Sequence, residues 1–291
     1  MSITFACSLF GVSRQVYYRS KSRVIKYQDR AEQVVALVSS VRRLMPRIGG
    51  KKLYHILEVD LRKLGVGRDK LFSILRANKL LIKAKRQYHI TTNSHHRFRK
   101  HKNLIDELTV SRPEQVWVSD ITYVGNRTDP KYLALVTDSY SKKIVGFDVS
   151  NSLSTASSLR ALSMGIAQRQ YKDQKLIHHS DRGLQYCSDA YQSLLVSNKI
   201  ICSMTESYDP YQNATAERVN GILKQEFLLG LKIKDIDLMK ELVEQSIAIY
   251  NNYRPHLSCH LYTPAYMHSQ SEITIKTYKT KQVKSLNPLP V

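Results

Sequence analysis

Residues 116–124, VWVSDITYV, decide the fold. β-Branched and aromatic residues fill the run, and these suit a pleated, half-buried strand. At its centre stands Asp120, which on the two-residue period shares a face with Val116, Val118, Thr122 and Val124. A carboxylate pointing where apolar neighbours point is expensive unless it is paired or holds a metal. Working outward, residues 132–138 (YLALVTD) and 143–150 (KIVGFDVS) read as further strands, separated by turn stretches at 126–131 and 139–142. This pattern predicts three consecutive antiparallel strands. A helix over about 154–169 follows, then a buried strand at 175–180, a helix near 188–198 and a short strand near 200–204. Long helices are expected over about 213–230 and 236–252. Antiparallel strands first and strand–helix alternation afterwards describe an α/β domain, a mixed sheet with helices on its faces.

Two further acids fall at places that chemistry favours. Asp181 comes immediately after the strand at 175–180, in HHSDRG, and sites in open α/β sheets form outside the carboxyl ends of strands. Glu217 lies on the first turn of a helix announced by Asp209-Pro210, with Asn213 as the expected N-cap. On that helix Glu217, Gly221 and Lys224 share one face, while Val219, Ile222, Leu223 and Phe227 form the buried one. Carboxylates from a strand centre, a strand end and a helix start can converge, and carboxylate oxygens are the donors that Mg²⁺ takes. Two such ions can clamp the attacking and leaving oxygens of a phosphodiester displacement. His178 and His179 read as polar lining of the strand end, and His256, Cys259 and His260 as helix–loop packing.

Upstream of the strands the chain changes character. Residues 1–110 hold 24 Lys/Arg against 7 Asp/Glu, whereas residues 111–270 hold 17 against 16. The whole chain of 291 residues carries 45 Lys/Arg, 24 Asp/Glu and a net charge of +21, so it asks for a polyanionic partner. With 18 Tyr and 6 Phe it is no disordered polycation. No run approaches the roughly 18 apolar residues of a membrane span, and the start, MSITFACSLFGVSR, lacks the plan of a signal peptide. The four cysteines form no CxxC pair, which argues against a disulfide framework or a cysteine zinc site. A soluble, cytoplasmic nucleic-acid protein is expected.

The first 20 residues read as a short helix, a turn at Gly11-Val12 and a second helix opening at Ser13, with Arg14, Gln15 and Arg19 on it. This fits a helix-turn-helix, and equally an ordinary helical hairpin. Val34, Val35, Val38, Val41 and Met45 continue a helical period to Pro46. A helix pair follows, with Leu53, Ile56, Leu57, Leu61 and Leu64 on one face, a break at Gly65-Val66-Gly67, and Leu71, Phe72 and Leu75 beyond it. Arg68, Lys70 and Arg76 remain for the outside of that last helix, where they can meet phosphates or base edges. Residues 83–102 (KAKRQYHITTNSHHRFRKHK) have no acid and no apolar period and read as a basic linker. In it Lys85, Arg86, Arg97 and Arg99 can track a backbone, and Tyr88 and Phe98 can stack on bases. The expected organisation is a helical DNA-binding region at 1–82, the linker at 83–112, a catalytic core at 113–232, and a C-terminal helix with a basic tail at 233–291.

The segments WVSDITYV, HHSDRGLQY and DPYQNATAERVNGILKQE resemble the DDE motifs of retroviral-integrase-like transposases, and specifically the OrfB transposases of the IS-three insertion-sequence family. Asp181 and Glu217 have 35 residues between them, and Lys224 lies seven after Glu217, as that family's pattern expects. Residues 250–268 (YNNYRPHLSCHLYTPAYMH) resemble its C-terminal signature, and GGKKLYHIL with GRDKLFSILRANKLLIKAKRQYHITTNSHHRF its N-terminal region. Leu184 departs from the Ser of many relatives, beside the motif and not in it. The resemblance implies an RNase H-like core in which Asp120, Asp181 and Glu217 are catalytic and hold two Mg²⁺ ions, with Mn²⁺ as a substitute. It implies that Lys224 meets DNA near the reacting phosphate and that Glu226 fills a further acidic position. It also implies double-stranded DNA as partner, both the element's inverted-repeat ends and a target, and a homo-oligomer assembled on that DNA. A partner protein from an upstream reading frame and a place at the bacterial nucleoid follow from the same resemblance.

Two rival readings share the fold. A repressor or inactive remnant predicts a lost carboxylate, and none is lost. A ribonuclease H-like hydrolase has no need of helix-turn-helix-like segments and a basic arm.

Overall fold

The computed structural model describes residues 2–83, 101–126, 129–206, 213–231 and 233–270. Lys85, Arg86, Tyr88, Arg97, Phe98 and Arg99 lie outside the described residues.

Five strands form one sheet. β1 (Val116–Asn126), β2 (Asp129–Asp138) and β3 (Ile144–Ser150) run as an antiparallel meander, and β4 (Leu176–Ser180) and β5 (Ile200–Met204) join parallel to β1, in the order β3-β2-β1-β4-β5. β1 is therefore central, with Trp117 opposite Asp138 of β2 on one side and His178 of β4 on the other. The alternation predicted from the sequence places side chains in two layers. Leu133 and Leu135 face one apolar cluster, while Ala134 and Val136 face another with Trp117, Val145 and Leu162. The second layer is covered by α6 (Thr155–Ala167), α7 (Leu184–Cys187) and α8 (Asp189–Ser197), and the first by α9 (Ala214–Glu226) and α10 (Ile236–Asn252). α6 lies so close on β3 that a Cβ at Gly146 would stand 2.0 Å from the Ala161 carbonyl oxygen.

The N-terminal region is all helical: α1 (Ile3–Leu9), α2 (Arg14–Leu44), α3 (Gly50–Ile56), α4 (Glu58–Lys63) and α5 (Arg68–Ala77). Ser13 caps α2 as expected, accepting the Val16 N–H at 3.3 Å, and Gly11 takes the left-handed conformation of the turn. A helix-turn-helix is not confirmed, because α2 runs on for 31 residues in place of a short recognition helix, and α1 buries only Cys7. The apolar face expected as one helix over Leu53–Leu64 is broken at Leu57 into α3 and α4. Val34, Val38, Leu53, Leu61 and Leu71 of this region share a single cluster with Val219, Leu223, Met239 and Tyr250 of α9 and α10. The helical region is thus packed onto the sheet domain, not strung beside it. α9 ends at Glu226, earlier than the expected 230, and α7 and α11 (Pro264–His268) are additions to the sequence reading. Among the described residues no helix is long and apolar enough to cross a membrane.

Candidate active site

Asp120 stands on the β1 face covered by α9. Its carboxylate is directed by two donors, the Ile121 N–H to Oδ1 at 2.9 Å and the Asn220 amide of α9 to Oδ2 at 2.7 Å. The residue keeps partial solvent exposure, yet the packing of α9 over β1 desolvates its carboxyl. Burial pushes the Asp120 carboxyl up to about 7, and the negative charges of Asp181 and Glu217 push the same way against its two hydrogen bonds. Three carboxylates from β1, the end of β4 and the first turn of α9 therefore lie within electrostatic reach of one another.

Asp181 sits where β4 ends. Its Oδ1 accepts the Gly183 N–H at 3.0 Å, and a Cβ at Gly183 would approach that same oxygen to 3.0 Å, so the DRG turn closes tightly around the carboxylate. Glu217 is exposed, with burial raising its carboxyl above the usual range. Asn213 stands at the N-cap of α9 but does not cap it; its amide donates instead to the Ser119 carbonyl of β1 at 3.2 Å and ties the helix start to the strand. Lys224 is half-buried on the same helix; burial lowers its ammonium pKa while the charge of Asp120 opposes the shift.

No His belongs to this set. His178 is fully buried with Nε2 2.7 Å from Ser119 Oγ and 2.9 Å from the Tyr191 hydroxyl, and burial beside His179 pushes it down to about 3, so it is neutral. His179 Nδ1 lies 2.9 Å from Ser203 Oγ. His256 and Cys259 are buried packing residues and His260 is exposed in a left-handed turn. Arg14, Arg68 and Arg76 are exposed and Lys70 is half-buried; Arg68 sits over the Phe72 ring at 6.0 Å.

The sequence reading missed two neighbours of the site, Asn220 and Tyr186, and the two residues that hold Glu226. Asn220 is hidden because its partner is 100 residues away. Tyr186 is buried, feels the charges of both Asp120 and Asp181, and its hydroxyl has no hydrogen-bond partner among the described residues. Arg254 and Lys52 hold Glu226, Arg254 by a fork of 2.8 Å from Nε and 2.8 Å from Nη2, and Lys52 at 3.0 Å. All four lie inside the segments that carry the family resemblance, Arg254 as the Arg of YNNYRPH and Lys52 in GGKKLYHIL, but nothing in the local pattern singles them out.

A hard divalent cation fits the chemistry of the donors, since Asp120 and Asp181 supply oxygen ligands whose mutual repulsion a cation relieves. Among the described residues no three His, Cys, Asp or Glu side chains stand close enough together to hold an ion in their present orientations.

Two family models match the chain, both described as integrase core domain, one over residues 110–210 and the other over 198–264. The uncharacterised 31 kDa protein of insertion element IS600 from Shigella sonnei is 32% identical over 256 residues, which span 86% of this chain and 92% of that protein. Transposase InsF for insertion sequence IS3A of Escherichia coli K12 is 28% identical over 264 residues, 89% of this chain and 91% of InsF. Among solved structures, the simian T-cell lymphotropic virus intasome in complex with PP2A regulatory subunit B56 gamma aligns at a TM-score of 0.47 and 16% identity, covering 83% of this chain and 81% of that one. The HTLV-2 integrase catalytic core domain in complex with magnesium aligns at 0.43 and 17%, covering 54% and 97%. The family models and the IS600 protein, matched over nearly its whole length, carry the assignment. The chain belongs to the IS3 family of insertion-sequence transposases, DNA transposases built on a retroviral-integrase-like core.

Proposed function

We propose that this transposase cleaves one strand at each end of its element and joins the freed 3′-hydroxyl to target DNA, with Asp120, Asp181 and Glu217 as catalytic carboxylates. The observation that supports this most is the gathering of carboxylates from β1, the end of β4 and the first turn of α9, where burial first, and then the charges of Asp181 and Glu217, push the Asp120 carboxyl up, because acids so gathered repel one another without a cation between them. These three side chains would hold two Mg²⁺ or Mn²⁺ ions, which when bound activate the nucleophile and stabilise the leaving oxygen. Asn220 fixes the direction in which Asp120 presents its oxygens. Lys224 meets a DNA phosphate beside the carboxylates. Water serves as nucleophile in cleavage and the 3′-hydroxyl in joining, so no covalent link between protein and DNA forms.

The N-terminal cations Arg14, Arg68, Lys70 and Arg76, with Lys85, Arg86, Arg97 and Arg99 of the linker, grip the duplex. This divides the labour between residues 1–82 with the linker at 83–112 and the core from 113 to 232, with the C-terminal part from 233 onward. α10 packs on β3 in the same cluster as α9 and so supports the core. Joining two ends of one element calls for a homo-oligomer on DNA, and such a chain works at the bacterial nucleoid. Incubating the protein with Mg²⁺ and a duplex carrying the element's terminal repeat tests the assignment. The parent should release the nicked end, and Asp120→Asn and Glu217→Gln should not. Cleavage by either variant at the parental rate would remove that residue from the catalytic set.

A further inference from the structure

α9 carries four residues of interest along one helix: Glu217 on its first turn, then Asn220 and Lys224, and Glu226 as its last residue. Glu226 stands nine residues beyond Glu217, about 13 Å along the helix axis at ~1.5 Å per residue, and it is not one of the acids that charge Asp120. Yet it is the most heavily tethered acid of the helix. Oε1 accepts Lys52 Nζ at 3.0 Å and Arg254 Nη2 at 2.8 Å, and Oε2 accepts Arg254 Nε at 2.8 Å. Its main-chain carbonyl accepts the Arg47 N–H at 3.0 Å. Arg254 is 1% exposed and Lys52 7%. Arg47 and Lys52 belong to the N-terminal helical region, 174 residues from Glu226 in the case of Lys52, while Arg254 follows α10.

Such a cluster is a costly way to gain stability, because desolvation of buried ions offsets their attraction and apolar replacements are often as stable. What a bidentate fork does supply is a fixed orientation. At the other end of α9, the Asn213 amide holds the helix start to β1, and the charge of Glu217 on the first turn is felt by Asp120. The helix that carries Glu217 is thus held at both ends, by Asn213 at its start and by Glu226 at its end.

We propose that Lys52, with Arg254, is a positioning residue for strand cleavage: by holding Glu226 it sets the pose of α9, so that the DNA-gripping helices fix the place of Glu217. The N-terminal region then completes the active site as well as binding DNA. This rests on the reading of Glu217 as a catalytic carboxylate.

The test uses the full chain, a labelled duplex carrying the terminal repeat, and three measurements: thermal midpoint, duplex affinity, and cleavage rate at saturating duplex with Mg²⁺. Lys52→Met should stay folded and bind the duplex as the parent does, while the cleavage rate at saturation falls about 10–100-fold, the size of effect that a small misplacement causes. Lys52→Arg, which keeps the charge, should recover most of that rate. Arg254→Lys, which keeps the charge but loses the fork, should reproduce the loss and guards against a misfolded Lys52→Met. The proposal is overturned by parental cleavage in folded Lys52→Met or folded Arg254→Lys, or by a loss in the folded variants that weaker duplex binding explains. Glu217→Gln separates the two levels: its inactivity beside a fully active Lys52→Met defeats only the positioning role, whereas its activity defeats the reading of the site.

Discussion

Asn220 shows what a single side chain does for this site. Its amide is the one side-chain donor to Asp120 among the described residues and fixes the carboxylate against rotation. Asn220→Ala should lower metal-dependent cleavage about 10–100-fold, the usual effect of removing an outer partner of a metal-binding carboxylate, with a matching rise in the Mg²⁺ concentration needed for half-maximal rate. An unchanged Mg²⁺ dependence would mean that Asp120 needs no such orientation. Tyr186 makes the opposite case: its buried hydroxyl has no partner among the described residues, so Tyr186→Phe should leave the thermal midpoint unchanged or raised, since an unpaired buried hydroxyl costs about 1–3 kcal/mol. A fall in midpoint would reveal a partner for that hydroxyl. At this scale Asp120, Asp181 and Glu217 were legible because an acid inside a β-branched strand, after a strand end and on a helix start each breaks the local pattern. Lys52 and Asn220 were not, because each looks like an ordinary helix residue whose partner stands far off in the chain, 174 positions away for Lys52 and 100 for Asn220.

At the scale of elements, the close approach of α6 to β3 depends on Gly146. Gly146→Ala would push a methyl against the Ala161 carbonyl and should destabilise the chain by about 1–3 kcal/mol or more, as overpacking does, measured by denaturant unfolding; no loss would mean that α6 shifts freely. α11 is tied to the strand layer by charge. His268 lies 3.5 Å from Glu114 and 3.7 Å from Asp138, and burial, which alone would lower its pKa, is outweighed by these two neighbouring carboxylates, which raise it. Burial pushes Glu114 up, but hydrogen bonds from His268, the Gln170 and Tyr171 N–H groups and Arg169 bring it down to about 2. His268 is more basic when folded than its ordinary 6.5, so its contribution is full below that pH and fades as pH rises through the folded value. Glu114 contributes above its ordinary 4.5 and loses that contribution as pH falls toward 2. His268→Gln should therefore cost more stability at about pH 6 than at about pH 9, read from thermal midpoints; an equal or larger cost at the higher pH would contradict the ion pairing. The strands were legible from their β-branched runs and intervening turn residues. The break at Leu57 was not, because the apolar period runs through it unbroken and only tertiary packing divides α3 from α4.

Across the whole molecule, the segregation of charge and the continuity of the core pull in different directions. Residues 1–110 carry 24 Lys/Arg against 7 Asp/Glu, and for that reason the grip on DNA is proposed for them. Replacing Arg68 and Arg76 by Ala in the full chain should lower the slope of log affinity against log salt by about one for each phosphate no longer neutralised. An unchanged slope would place the phosphate-binding cations elsewhere. The same region shares one apolar cluster with α9 and α10, so residues 111–291 alone should be much less stable than the full chain, as exposure of that cluster in solution would show by dye binding. Net charge and its division were plain in the sequence; the shared cluster was not, because periodicity shows which face is buried and never against what. If the carboxylates of β1, β4 and α9 form one metal-dependent site that both cleaves and joins, a single change at the end of β4 should abolish both steps. Strand transfer by Asp181→Asn, measured with Mg²⁺ on intact and pre-nicked terminal duplexes, puts this to the test. Both substrates should be left unjoined while duplex binding persists. Joining of the pre-nicked end at the parental rate would contradict a shared site.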